Sequence, residues 1–170
     1  GESPVDFALR AARDKALEVA ARSPGRTVLG ADTVVEIDGE ILGKPVSEAE
    51  AAAMLGRLSG REHAVHTAVC LVLAGAAATI VDTASVRFAQ LTERMVSWYV
   101  ASGEPMDKAG AYAVQGLGGL FVVGMSGSPS TVVGLPVHRL PELFAGHGLD
   151  LWVMLEPRVL RPRPRPAHRP

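Results

Sequence analysis

Cysteine is nearly absent: Cys70 is the only one in a chain of 170 residues. An intrachain disulfide is therefore excluded, and with no second Cys or His at ligand spacing a zinc site is excluded as well. A reducing, cytoplasmic setting is the expected one. Long apolar runs are also missing. No stretch reaches the ~18 consecutive apolar residues of a membrane-spanning helix, and the chain opens Gly1-Glu2-Ser3-Pro4 rather than with a basic and then apolar leader. Excess charge of one sign is the third absence. A formal net charge of −1 offers no general field to draw in nucleic acid or an anionic membrane, so any polyanion has to be met by a local cluster of cations. The expected partner is a small molecule, with no nucleic acid and no membrane. No internal repeat, no P-loop or dinucleotide fingerprint and no Gly-x-Ser-x-Gly elbow is found either.

What is there is the usage of a globular protein, nearly half apolar and about a fifth charged. Ser3-Pro4-Val5-Asp6 predicts a helix entry, with Ser as cap, Pro at the first position and Asp at the positive end. The helix runs to about Ala21, and Val5, Ala8, Leu9, Ala12, Ala16 and Val19 form its apolar stripe with Lys15 at the edge. The β-branched run from Thr27 to Ile37 predicts a strand, turned at Asp38-Gly39 into Glu40-Ile41-Leu42. Ser47-Glu48-Ala49-Glu50 is a capping box for a helix through Leu58. Strands are expected over Ala64 to Leu73 and Thr79 to Phe88, then a helix from Thr92 to about Ala101 and another over Pro136 to Phe144. The interspersed elements predict an α/β domain with a mixed sheet over residues 1–150. Residues 151–170 form a C-terminal extension whose Arg161-Pro-Arg-Pro-Arg-Pro end is expected to be extended and solvated.

Three places can carry chemistry. Asp32 interrupts the apolar strand Leu29-Gly30-Ala31-Asp32-Thr33-Val34-Val35, and a buried carboxylate is costly unless it is paired or binds a metal. Alternation puts it on the face of Gly30 and Glu36, but Glu36 is about 13 Å away along the strand, so one ion does not easily span both. Taken alone, Asp32 could equally accept backbone hydrogen bonds at a strand end. Lys44, in the rigid Gly43-Lys44-Pro45 turn, can be folded back by the hairpin towards Asp32. The stretch Gly103 to Gly134 is dense in glycine, with a strand expected at Leu120 to Val123; loops of this length inside a domain are usually functional. Within it glycines let N–H groups approach an anion, Lys108 supplies a point charge, and Gln115 offers both a donor and an acceptor to a base edge. The histidines add no metal site, because His63 and His66 are three apart on a strand and face opposite ways.

Taken in order, Leu29 to Val35, Gly43-Lys44-Pro45, Met54-Leu55 with Leu58-Ser59-Gly60-Arg61, Tyr99 through Gly119, and Val132-Val133-Gly134-Leu135-Pro136 resemble the Maf family of nucleotide pyrophosphatases. The resemblance implies an elongated α/β fold with a central cleft, often a homodimer. It also implies hydrolysis of a nucleoside triphosphate between the α- and β-phosphates with a divalent cation, Mg²⁺ or Mn²⁺. Asp32 then matches the proton acceptor and a metal ligand, Thr33 and Gln115 match positions associated with substrate choice, and Lys15, Lys44 and Lys108 match lysines lining the phosphate cleft. Gln115 resembles the branch acting on dTTP and UTP, where the branch acting on 7-methyl-GTP has a glutamate. Two departures accompany the match. Family members usually open with a strand and a Ser-x-Ser-Pro-Arg-Arg loop, followed by an acidic pair, and the sequence starts past the positions expected to match both; Pro129 and Thr131 stand where Tyr and Asn are more usual. A non-catalytic, regulatory nucleotide-binding protein, connected with septum inhibition, is the alternative expectation.

Overall fold

The computed structural model describes residues 1–156; the Arg/Pro-rich tail expected to be extended lies outside them. Helix α1 (Pro4–Arg22) begins where expected, Ser3 Oγ accepting from the Asp6 N–H and Pro4 standing in the first turn. Strands β1 (Val28–Ile37) and β2 (Glu40–Leu42) form the Asp38-Gly39 hairpin. Helix α2 (Glu48–Leu58) follows, its N-terminus capped by Ser47. Long strands β3 (Glu62–Leu73) and β4 (Ala76–Phe88) pair along their whole length around the turn at Ala74 and Gly75. Then come α3 (Glu93–Ala101), a run of short 3₁₀ turns between Glu104 and Phe121, β5 (Val122–Ser126), α4 (Pro129–Val133), α5 (Leu140–Ala145) and α6 (Leu151–Met154).

The sheet order is β2-β1-β3-β4-β5. The α/β class is as expected, but every pairing among the described residues is antiparallel, which corrects the mixed sheet. The reason is the path of the chain. Strand β1 sits between β2 and β3, so the α2 connection joins two co-directional strands that never touch each other, and tight turns account for the β1–β2 and β3–β4 pairs. Boundaries also move: β3 and β4 begin at Glu62 and Ala76, ahead of the expected Ala64 and Thr79. The strand expected at Leu120 to Val123 starts at Val122, because Leu117–Phe121 winds into a 3₁₀ turn. The helix expected from Pro136 starts at Leu140 behind a turn at Val137–Arg139.

The even residues of β1 face α1, where Ala8, Ala12 and Ala16 pack on Val28, Val34, Ala68, Cys70 and Val72. Leu9 lies at the margin of that cluster, while Val19 at the end of the expected stripe is 43% exposed. The odd residues face the opposite layer, where Val35 and Ile37 join α2, Phe88, Tyr99, Tyr112 and Phe121. His63 is buried there, its Nε2 2.9 Å from the Tyr112 hydroxyl; burial lowers its pKa to about 4, so it is a neutral structural residue near pH 7. No helix of the described residues is long and apolar enough to cross a membrane.

Helix α1 lies close against β1 because the contact is made of small residues. A Cβ on Gly30 would come within 2.8 Å of Ala16 Cβ and 2.9 Å of the Ala12 carbonyl oxygen, and a helix backbone has little room to give. Gly30→Ala is therefore expected to lower stability by about 1–3 kcal/mol, the usual effect of overpacking, and to move the helix that carries Lys15. Urea unfolding checks this, and an unchanged midpoint would show that the helix shifts without penalty.

Candidate active site

Between β2 and β3 the middle strand is unequally covered. Strand β3 pairs with all of Val28 to Glu36, whereas β2 reaches only Val35 to Ile37. The other edge of β1 at Ala31 to Val34 is thus open among the described residues, and a cleft of about 290 Å³ lies against it. It is bounded by Lys15 from α1, Ala31, Asp32 and Thr33 from β1, Lys44 from the turn after β2, and Asp107 to Ala109 with Tyr112 to Gln115 from the glycine-rich segment. All six residues singled out from the sequence therefore line one cavity: Lys15, Asp32, Thr33, Lys44, Lys108 and Gln115.

Asp32 is not a strand-end carboxylate occupied with backbone N–H groups. Its Oδ1 accepts a hydrogen bond from Lys15 Nζ at 2.5 Å, with the Asp32 side chain 15% and the Lys15 side chain 58% exposed. The pairing follows from the close approach of α1 to β1, since Lys15 precedes Ala16, which packs on Gly30, and Gly30 and Asp32 share a face. Oδ2 has no hydrogen bond partner among the described residues, so one oxygen is anchored and the other is left free.

Lys44 and Lys108 are brought together by a backbone stitch. The Gly110 N–H donates to the Gly43 carbonyl at 3.0 Å, and Gly110 at φ 69° presses on Val35, where a Cβ would meet the side chain at 2.9 Å. Asp107 interacts with both cations. Its carboxyl is held below the ordinary range first by the hydrogen bond from Lys108, at 2.5 Å, with the charge of Lys44 adding to the effect. This part of the cleft thus carries two lysines around one exposed carboxylate.

Gln115, in the same cleft, is exposed and has no hydrogen bond partner among the described residues. Its loop, by contrast, is tightly held. Glu104 accepts from the Leu117 N–H at 2.9 Å, the Gly118 N–H at 3.0 Å and the Tyr99 hydroxyl at 2.8 Å, while Tyr99 Oη accepts from the Ala113 N–H at 3.1 Å. Desolvation pushes the Glu104 carboxyl up, but these donors outweigh it and hold it below its usual range; burial keeps the Tyr99 phenol protonated. A Cβ on Gly116 would fall 2.3 Å from the Glu104 carboxylate, and one on Gly118 would fall 2.7 Å from Tyr99 Oη. The glycines are thus needed for this close wrapping around Glu104, more than for an anion cradle.

Sequence reasoning passed over Glu104 and Tyr99, and over a buried row of threonines. Thr33 Oγ1 lies 2.8 Å from Thr67 Oγ1, which donates to the Thr131 carbonyl at 2.7 Å. The Thr131 hydroxyl donates in turn to Asp82, which His138 and Arg139 approach at 3.5 and 3.4 Å. The hydroxyl-rich segment from Ser126 is thus a short helix packed on the sheet. The visible signal was a threonine in each of β1 and β3, but only their register, Thr33 opposite Thr67, places them in contact.

A divalent cation is compatible with part of this donor set. Among the described residues no three His, Cys, Asp or Glu side chains cluster to hold one, which argues against a cage made by the protein alone. Asp32 offers one carboxylate oxygen to the cleft, and Mg²⁺ is commonly bound by one or two carboxylates together with substrate phosphates. The site fits an ion that arrives with a polyphosphate.

Comparison with known proteins agrees with the motif pattern. The family model for Maf-like proteins matches residues 1–147. The dTTP/UTP pyrophosphatase of Symbiobacterium thermophilum is 47% identical over 151 residues, covering 89% of this chain and 78% of the relative. That of Myxococcus xanthus is 51% identical over 151 residues, covering 89% and 76%, and that of Pyrococcus abyssi is 45% identical over 142 residues, covering 84% and 76%. With the match running across nearly the whole described fold and including every wall of the cleft, the chain belongs to the Maf family.

Proposed function

We propose that this protein is a nucleoside triphosphate pyrophosphatase that hydrolyses dTTP and UTP to the monophosphate and pyrophosphate. The observation that carries the reading is the division of a single cleft: an anchored carboxylate at Asp32, two cations at Lys44 and Lys108, and an amide and a hydroxyl at Gln115 and Thr33. The relatives named dTTP/UTP pyrophosphatase supply the substrate class.

In this reading Asp32 takes the proton of a water that attacks the α-phosphorus. The attack forms the new P–O bond of the monophosphate, the bond to the bridging oxygen breaks, and pyrophosphate leaves. Lys44 and Lys108 face the charge that develops on the phosphate oxygens. A divalent cation, held by Asp32 and the phosphates, would supply further charge neutralisation. Asp107 keeps the two lysines from repelling each other until the polyphosphate takes its place. The same reading includes a homodimer, supported by the family resemblance alone, and a cytoplasmic setting, supported by the single cysteine.

The test is pyrophosphate release by the full-length protein over a panel of nucleoside triphosphates with Mg²⁺ or Mn²⁺. Release greatest with dTTP and UTP is expected; tight nucleotide binding without any release would replace the enzyme with a regulatory binding protein. A companion measurement addresses the phosphate end. Lys44→Ala and Lys108→Ala are expected to weaken a non-hydrolysable UTP analogue by about 1–3 kcal/mol each, the scale of a hydrogen bond to a charged group, and UMP by less. Equal losses for the two ligands in calorimetry would remove these lysines from the polyphosphate.

A further inference from the structure

The buried threonine row has a direction, and the direction constrains what the cleft can recognise. Thr67 is fully buried and its hydroxyl has one proton. The Thr131 carbonyl, 2.7 Å away, can only accept, so that proton belongs to the Thr67–Thr131 bond. The 2.8 Å contact between the Thr33 and Thr67 hydroxyls then requires Thr33 to be the donor. Thr131 cannot relax this arrangement: it is itself fully buried, and its side chain is fixed on Asp82. With its own proton turned into the sheet, Thr33 presents only lone pairs to the cleft.

We propose that Thr67 is a specificity-determining positioning residue, which makes Thr33 an obligate acceptor and so selects bases carrying an N3–H, uracil and thymine, over cytosine, whose N3 is an acceptor. This rests on the reading that the base lies against Thr33 and Gln115. Gln115 by itself cannot make that choice. Its amide is exposed and without a partner, so it can turn over to meet either the O4 of uracil or the amino group of cytosine. A hydroxyl whose proton is already used cannot turn over. Cytosine would set its N3 lone pair against that of Thr33 and leave both unsatisfied.

The experiment is the ratio of kcat/KM for UTP over CTP, with the UMP over CMP affinity ratio from calorimetry as a second readout, in wild type, Thr67→Val, Thr67→Ser and Thr33→Val. Valine has the shape of threonine without the hydroxyl, and its introduction frees the Thr33 proton to point into the cleft. Both ratios are expected to fall roughly tenfold in Thr67→Val, one hydrogen-bond preference lost, and to be restored in Thr67→Ser. A merely structural role would lower both nucleotides together and leave the ratios alone. If Thr33→Val changes the ratios and Thr67→Val does not, the base reading stands and the role of Thr67 is overturned. If neither changes them, the base does not lie against Thr33 and both fall. Should Thr67→Val unfold, a Thr67→Ser ratio far from wild type would equally overturn the proposal, since the serine keeps the hydroxyl.

Discussion

Replacing Asp32 by Asn is expected to lower pyrophosphate release by ~10²–10⁴-fold, the typical contribution of a general base, while the protein stays folded. The amide keeps the shape of the carboxylate and one oxygen for Lys15, but it cannot take a proton from water. Loss of the ion pair should matter little to stability. Lys15 is more than half exposed and can be solvated where it stands, and exposed pairs contribute only about 0–1 kcal/mol. Urea unfolding of the variant should therefore overlay the wild type, and the loss should fall on kcat more than on nucleotide binding. Retention of most of the wild-type rate would rule out Asp32 as the base. An equal loss of rate and stability would point to a structural role.

Gln115→Glu is expected to turn the cleft away from pyrimidines. The glutamine amide can donate to a carbonyl oxygen of uracil or thymine while Thr33 accepts from N3–H, so the two residues match adjacent groups of opposite polarity. A carboxylate only accepts. It would face a carbonyl oxygen of the base and leave buried polar groups unpaired at about 1–3 kcal/mol. Since ~1.4 kcal/mol is a factor of ten, kcat/KM for UTP should fall roughly tenfold or more relative to 7-methyl-GTP, whose N1–H and amino group can donate to the new carboxylate. The loop itself should not change, because Gln115 is exposed and the wrapping around Glu104 is made by its neighbours. An unchanged ratio of the two substrates would show that Gln115 does not read the base. A fall for both would instead indicate that the loop had been lost.

Much of the fold was legible because it depends on local chemistry. The Ser3 and Ser47 caps, the Asp38-Gly39 turn and the β-branched runs each specify an element through interactions within a few residues; the caps and the turn are found where they were expected, and the strands within three residues of it. The glycine-rich segment stood out by its composition, but its structure was not legible. Its turns are held by Tyr99 and Glu104, which lie 13 or 14 residues from the groups they bind and give no periodic signal. Its one strand was placed two residues early for the same reason.

The site divides along the same line. From the sequence alone came the identities: a carboxylate in an apolar strand, three lysines, a glutamine and a threonine, in the order that the Maf family uses. These are properties of residue type and spacing, which a linear chain displays. Tertiary structure alone decided their relations. The approach of α1 to Gly30 sets Lys15 on Asp32, the stitch from Gly110 to Gly43 gathers Lys44 and Lys108 around Asp107, and the β1–β3 register lines up Thr33 with Thr67. Such contacts join residues 17 to 67 positions apart, and their polarity depends on which single proton each hydroxyl has left to give. Hydrogen-bond direction is a property of neighbours in space, so it exists only once the chain has folded.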